Sequence, residues 1–240
     1  DGIRDHCVTG VQTCALPISL LRGAPIFVDE TRSVINAAAN AVIALAKQGK
    51  LRVLVVSGGA TTPLVLRQIA LLWTFNHTPT LVVSDERHSE IFGELNVTRL
   101  RDSLKSTVLA QARIVSPTYR PDLAESASEW SRELASLPTP NAAILSMADD
   151  GHIASLFPGV TSEVVSDSVE ICRTSPKPPE ERISLSSAYL RKIPHRMAVV
   201  VGTNKTASLQ AVAAGSELPI SDFMPTRWFV DSSAYIGLRH

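Results

Sequence analysis

From residue 24 onward, short runs rich in Val, Ile and Leu alternate with longer segments whose apolar side chains recur at helical spacing. This alternation predicts parallel strands joined by crossover helices, because a strand apolar along its whole length must be covered on both faces. The predicted strands are Pro25–Val28, Leu51–Val56, Thr80–Val83, Ala142–Leu145, Ala198–Val201 and a last one near Trp228–Val230. The predicted helices are Thr31–Lys47, one opening at Thr62 and Pro63, Asn96–Lys105, Leu123–Leu137 and Asn204–Ala214. In the first, Val34, Ile35, Ala38, Ala41, Val42 and Leu45 form a buried stripe that Gly49 ends. Thr62 reads as the cap of the second helix, with Pro63 at its first position. The expected fold class is α/β with a mostly parallel sheet between helical layers. Pro176, Pro178 and Pro179, beside Lys177 and Glu180, mark an exposed loop, and the chain after them is too short for a separate core.

Composition narrows the function. The 240 residues carry 23 Lys+Arg against 23 Asp+Glu, so no bulk field exists to hold nucleic acid or an acidic membrane surface. Any bound anion is gripped locally. The longest apolar runs fall far short of the roughly 20 residues that cross a bilayer. Cys7, Cys14 and Cys172 have no metal-ligand spacing and are too few for a disulfide framework, which fits a cytoplasmic location. The opening Asp1–Ile18, DGIRDHCVTGVQTCALPI, lacks helical or strand periodicity and the build of a signal peptide. It resembles an adapter oligonucleotide translated in frame, so residues 1–18 are expected to be a non-native leader and 19–240 a single domain.

Ligands of open α/β sheets collect beyond the carboxyl ends of the strands. Four such segments carry chemistry. Ser57-Gly58-Gly59-Ala60-Thr61 brings the backbone close to a ligand at a helix N-terminus, which suits a phosphate, although a Ser-Gly-Gly turn by itself more often only reverses the chain. Asp85-Glu86-Arg87 follows a strand directly, so Arg87 is placed to bind an oxyanion, with the carboxylates orienting it or holding sugar hydroxyls; three adjacent charges elsewhere would be a solvated turn. His152 follows the strand ending at Leu145, with Asp150 two residues before it, and an imidazole titrating near 6.5 is a suitable base at neutral pH. The bland reading is a surface histidine. No ligand spacing around Asp149, Asp150 and His152 supports a metal. Lys205, in Gly202-Thr203-Asn204-Lys205, opposes the dipole of the next helix and calls for an anion nearby; Arg182 is a further candidate cation, otherwise an ordinary surface ion pair.

In order, SGGATTP at Ser57–Pro63, SDER at Ser84–Arg87 with Asn96 downstream, DGHIASLFPG at Asp150–Gly159, RISLS at Arg182–Ser186, GTNKTASLQA at Gly202–Ala211 and WFVDSSA at Trp228–Ala234 resemble the 6-phosphogluconolactonase family. The resemblance runs from about Pro25 to Ala234, and the DGH segment is its most specific part. It implies the Rossmann-like three-layer α/β/α fold of sugar-phosphate isomerases and deaminases. It also implies no metal, no cofactor, and hydrolysis of 6-phospho-D-glucono-1,5-lactone in the oxidative pentose phosphate pathway; separately, a cytoplasmic monomer or small homo-oligomer is expected. His152 would be the general base and Asp150 its orienting partner. Ser57, Gly58, Gly59, Thr61, Asp85, Arg87, Arg182 and Lys205 would hold the substrate.

Two departures from the family stand out. Ser146 and Ala148 replace the glycines of a usual Gly-Met-Gly, so added Cβ atoms are expected to crowd backbone near the sugar, and Ala60 stands where a hydroxyl is common. They keep open a non-catalytic sugar-phosphate-binding homologue. A hexosamine-6-phosphate deaminase/isomerase is the other alternative, but its Phe-Asn-Glu-Pro has no counterpart in Leu156-Phe157-Pro158-Gly159. A nicotinamide dehydrogenase is set aside for want of G-x-G-x-x-G spacing.

Overall fold

A computed structural model describes residues 20–236 and 238; the suspect leader, with Cys7 and Cys14, lies outside the described residues. The strands are β1 Leu20–Leu21, β2 Ala24–Asp29, β3 Val53–Val56, β4 Thr80–Val83, β5 Asp85–Arg87, β6 Ile114–Val115, β7 Ala142–Ser146, β8 Glu163–Val164, β9 Val169–Cys172, β10 Arg182–Leu185, β11 His195–Val200 and β12 Arg227–Asp231. The helices are α1 Thr31–Lys47, α2 Thr61–Leu72, α3 Asn96–Leu104, α4 Leu123–Ala135, α5 Ser187–Arg191, α6 Thr206–Ala213 and α7 Pro219–Phe223. No helix among them is long and apolar enough to cross a membrane.

The larger sheet has the order β1-β2-β12-β11-β7-β3-β4-β6, parallel throughout except for β1 against β2. All four residues of β3 are buried, which requires packing on both faces of the sheet. Each such aliphatic side chain contributes roughly 1.5–3 kcal/mol by leaving water. After β3 the chain winds outward through β4 and β6. It then returns to β7 on the other side of β3 and winds away through β11 and β12. The reversal lies between β3 and β7, where Val56, the last residue of β3, pairs with Ile144 and β7 runs on to Ser146. A crevice opens above such a reversal because the two connections leave in opposite directions.

The sequence anticipates every long parallel strand and every long helix to within a few residues. It misses the second sheet, β5-β10-β9-β8, which is antiparallel. β5 is separated from β4 by Ser84 alone and reads as a charged turn, because all three of its residues are charged. The start of α2 also differs. The helix begins at Thr61 with Ala60 as N-cap and no side-chain cap, since the Thr62 hydroxyl turns inward to Ser57 Oγ at 2.6 Å.

A carboxylate the sequence reading passed over closes the sheet. Asp231, 3% exposed at the end of β12, accepts from Thr31 Oγ1 (2.8 Å), Gly202 N (3.1 Å), Ser233 Oγ (3.0 Å) and Ala234 N (2.9 Å). Burial alone would raise its carboxyl, but these donors hold it below its ordinary value. It thus joins the start of α1 to the turn after β11. Asp231→Ala leaves several donors unpaired, and thermal unfolding should show a loss of about 2–4 kcal/mol.

Candidate active site

The loops after β3, β4, β7, β9 and β11 converge on one cavity of about 580 Å³ above the β3/β7 reversal. Its lining includes Ser57, Gly58, Gly59, Thr61, Asp85, Arg87, His152, Arg182 and Lys205. Of the candidate residues only Asp150 stands behind the wall, and it reaches the cavity through His152.

His152 sits in a turn held from several sides. Its carbonyl accepts from Ala148 N at 2.9 Å, Gly151 N reaches Ala148 O at 3.2 Å, and Ile220 N reaches Gly151 O at 3.2 Å. Gly151 takes φ +82, and a Cβ there would also press on Leu218, so this position is closed to other residues. Asp150 Oδ1 lies 2.5 Å from His152 Nδ1 and accepts from His152 N at 3.1 Å. A carboxylate on Nδ1 fixes the proton there and leaves the Nε2 lone pair as the basic site. The Phe157 ring covers the imidazole at a centroid distance of 4.5 Å. Burial lowers the imidazole below its ordinary 6.5, outweighing the raising pull of Asp150, so the ring is neutral and basic at pH 7. Burial would raise the Asp150 carboxyl, but the His152 N–H and imidazole together bring it below its usual range.

The cradle is built by β3 and α2. Ala60 provides no cap, so the first N–H groups of α2 lack side-chain partners at the cavity edge. Gly58 is required less by a ligand than by Asn96, whose side chain occupies the space a Cβ would need. Gly59 lies against Ser146, with Oγ 3.0 Å from where its Cβ would stand.

The second sheet supplies the guanidinium groups. Arg87 on β5 and Arg182 on β10 are direct cross-strand partners. Like charges placed opposite one another destabilise a sheet unless an anion lies between or beside them. Arg87 is anchored through Nη1 to Glu94 O (2.7 Å) and Asn96 Oδ1 (2.8 Å), while its buried Nε has no partner. Arg182, 5% exposed, donates to Pro179 O (2.8 Å), Lys177 O (3.0 Å) and Pro178 O (3.0 Å). It therefore also fixes the proline-rich loop, and burial lowers its guanidinium from the ordinary value. A surface ion pair is thereby replaced by a buried cation. No carboxylate among the described residues forms a salt bridge with Arg87, Arg182 or Lys205.

Lys205 lies in the 3₁₀ turn Thr203–Lys205 and is the N-cap of α6, so the helix begins two residues later than expected. Burial lowers its ammonium, against the pull of Asp149. Asp85 borders the cavity and also has a structural use that the sequence did not show. Its oxygens are occupied by Ser84 Oγ and Ser155 Oγ, both at 2.8 Å, so it ties the histidine loop to the end of β4. Glu86 caps α3, accepting from Asn96 N (2.6 Å) and Val97 N (2.8 Å), and burial still pushes its carboxyl up to about 7.

Two further lining residues have roles that the sequence left unassigned. Lys177, read as part of an exposed loop, borders the cavity and pairs with Asp149 at 2.8 Å. Asn96 holds both Arg87 and, through Nδ2, Asp85 O at 2.9 Å. Neither Ser146 nor Ala148, where backbone crowding was expected, has positive φ; in this loop positive φ falls on Gly151 and, among non-glycine residues, on Ala154 at φ 50.

A family model described as glucosamine-6-phosphate isomerases/6-phosphogluconolactonase matches residues 27–231. A 6-phosphogluconolactonase of Pseudomonas aeruginosa is 31% identical over 199 residues, spanning 75% of this chain and 80% of that protein. Among solved structures, a 6-phosphogluconolactonase from Thermotoga maritima superposes with a TM-score of 0.74 at 21% identity, covering 86% of this chain and 99% of that one. A monomeric glucosamine-6-phosphate deaminase gives a TM-score of 0.73 at 15% identity, covering 87% and 98%. These two likenesses are likenesses of fold. Together with the family match and the Pseudomonas relative, they lead to one assignment: the chain belongs to the glucosamine-6-phosphate isomerase/6-phosphogluconolactonase family.

Proposed function

We propose that the protein hydrolyses 6-phospho-D-glucono-1,5-lactone to 6-phosphogluconate. The observation that carries this reading is a neutral, carboxylate-oriented histidine sharing one cavity with a cross-strand arginine pair and an uncapped helix N-terminus. The phosphate of the sugar neutralises the Arg87, Arg182 and Lys205 charges and accepts from the Gly59–Thr61 backbone. That grip positions the lactone carbonyl against His152, replacing a bimolecular encounter by a held geometry. His152 Nε2 takes a proton from water as its oxygen bonds to C1, and backbone N–H groups or a nearby cation at the His152 end, apart from the three that hold the phosphate, receive the developing oxyanion. Collapse of the tetrahedral adduct breaks the bond from C1 to the ring oxygen, which takes the proton back from the imidazolium. The product is the open-chain acid, and no covalent intermediate is needed.

A deaminase needs a further carboxylate for ring opening and amine release. The positions just after the histidine offer the Phe157 ring and Pro158 instead, and Phe157 packs on the imidazole. The same proposal treats residues 19–240 as one domain, supported by an apolar core continuous through both sheets, and places the enzyme in the cytoplasm as a monomer or small homo-oligomer. Freshly generated lactone and glucosamine 6-phosphate, assayed side by side, should give saturable lactone loss above the spontaneous rate and no ammonia. Ammonia release without lactone consumption would reverse the assignment.

A further inference from the structure

We propose that Ser146 is a further phosphate-binding residue, placed at the end of a chain of three hydroxyls running from Thr62 through Ser57 into the cavity. The inference rests on the lactonase reading only for the identity of the sugar; its geometry is independent. Ser57 Oγ lies 2.6 Å from Thr62 Oγ1 and 3.0 Å from Ser146 Oγ, and it also accepts from Ser146 N at 3.1 Å. Thr62 and Ser57 are buried, whereas Ser146 is half-buried and borders the cavity.

Valence limits the proton arrangement. A hydroxyl has one hydrogen and two acceptor sites, and one acceptor site of Ser57 is taken by the Ser146 N–H. Ser57 must then accept from one neighbouring hydroxyl and donate to the other. If Ser146 donates inward, only its lone pairs face the cavity, beside the cation-lined cradle. If Thr62 donates to Ser57 and Ser57 to Ser146, the Ser146 O–H is free to donate outward. An anion at the Gly59–Thr61 cradle selects the second arrangement, in which the three hydroxyl dipoles align toward it and strengthen one another. Gly59 leaves room for this approach, since a Cβ there would stand 3.0 Å from Ser146 Oγ. Ser146 thereby supplies at the end of β7 the hydroxyl that the loop residue Ala60 lacks. A phosphate, which offers only acceptors to this O–H, is the ligand class the chain fits.

The test compares wild type, Ser146→Ala and Ser146→Thr, with melting temperature as the folding control. Inorganic phosphate binding is read by titration calorimetry, and lactone hydrolysis by KM and kcat. Loss of a hydrogen bond to a charged oxygen should weaken phosphate binding and raise KM by about tenfold in Ser146→Ala, with kcat within about threefold. Ser146→Thr, which keeps the hydroxyl, should restore most of both. Should Ser146→Ala not fold, Thr62→Val tests the chain from its buried end and should weaken phosphate binding about threefold. Unchanged phosphate affinity in a folded Ser146→Ala protein would overturn the assignment of Ser146, even with lactone hydrolysis intact. Absence of hydrolysis in wild type, with the phosphate result as expected, would overturn the lactonase reading instead.

Discussion

His152→Ala is expected to lower kcat on phosphogluconolactone by about 10²–10⁴-fold while KM stays within severalfold, because the variant loses proton transfer and keeps the phosphate grip. The imidazole is held by Asp150 on one side and Phe157 on the other, so its removal alters the reacting end of the cavity and leaves the Gly59–Thr61 cradle in place. Steady-state kinetics separate the two parameters, with the spontaneous rate subtracted. The pH profile supplies an independent check. Burial lowers the His152 imidazole below 6.5, so the basic form persists into mildly acidic solution and the acid limb of kcat/KM should fall below pH 6.5. Asp150 raises that imidazole, so Asp150→Asn should move the limb still lower and reduce the plateau, since a weaker and less well oriented base remains. An acid limb well above 6.5, or a kcat unmoved by loss of the ring, would place proton transfer elsewhere.

Gly58→Ala should be the most damaging single-methyl change in the cradle. The new Cβ meets the side chain of Asn96, which is 3% exposed and cannot retreat without releasing Arg87 Nη1 and Asp85 O. Overpacking of a fixed site costs typically about 1–3 kcal/mol. The functional loss should be larger, about 100-fold in kcat/KM, because the cradle and Arg87 shift together. Chemical denaturation and kinetics on the same preparation measure both. Adding Asn96→Gly, which also removes the Asn96 Cβ that the new methyl would overlap, relieves the clash but leaves Arg87 Nη1 with Glu94 O alone, so the double variant should regain stability without regaining activity. Equal recovery of both would show that Asn96 is only a spacer.

The parallel sheet and the long helices were legible because each carries its own periodicity: β3 is wholly apolar and α1 keeps a buried stripe. His152 and the Ser57–Thr61 loop were legible for a related reason. A residue just after a central strand has its place in space set by the topology. The pairing of Arg87 with Arg182 was not. It depends on two short polar strands far apart in sequence, whose register is set by tertiary contacts and leaves no local pattern. Asp85 shows the same limit: its position was read correctly, but its partner Ser155 lies 70 residues away, so its use as a tether was hidden. Ser146 was read through its Cβ as an obstruction, whereas its hydroxyl is held by Ser57, which no spacing argument reveals. Lys177 was hidden by the prolines around it, which signal an exposed loop equally well when that loop borders a cavity.

The proposed mechanism depends on one substrate orientation: phosphate at the glycine cradle and arginine pair, C1 at His152. A crystal structure of the protein with 6-phosphogluconate measures it directly. The phosphate oxygens should lie against the Gly59–Thr61 backbone and the Arg87, Arg182 and Lys205 side chains, with the C1 carboxylate within hydrogen-bond reach of His152 Nε2. A phosphate bound beside His152, or a C1 carboxylate seated in the glycine cradle, would contradict it.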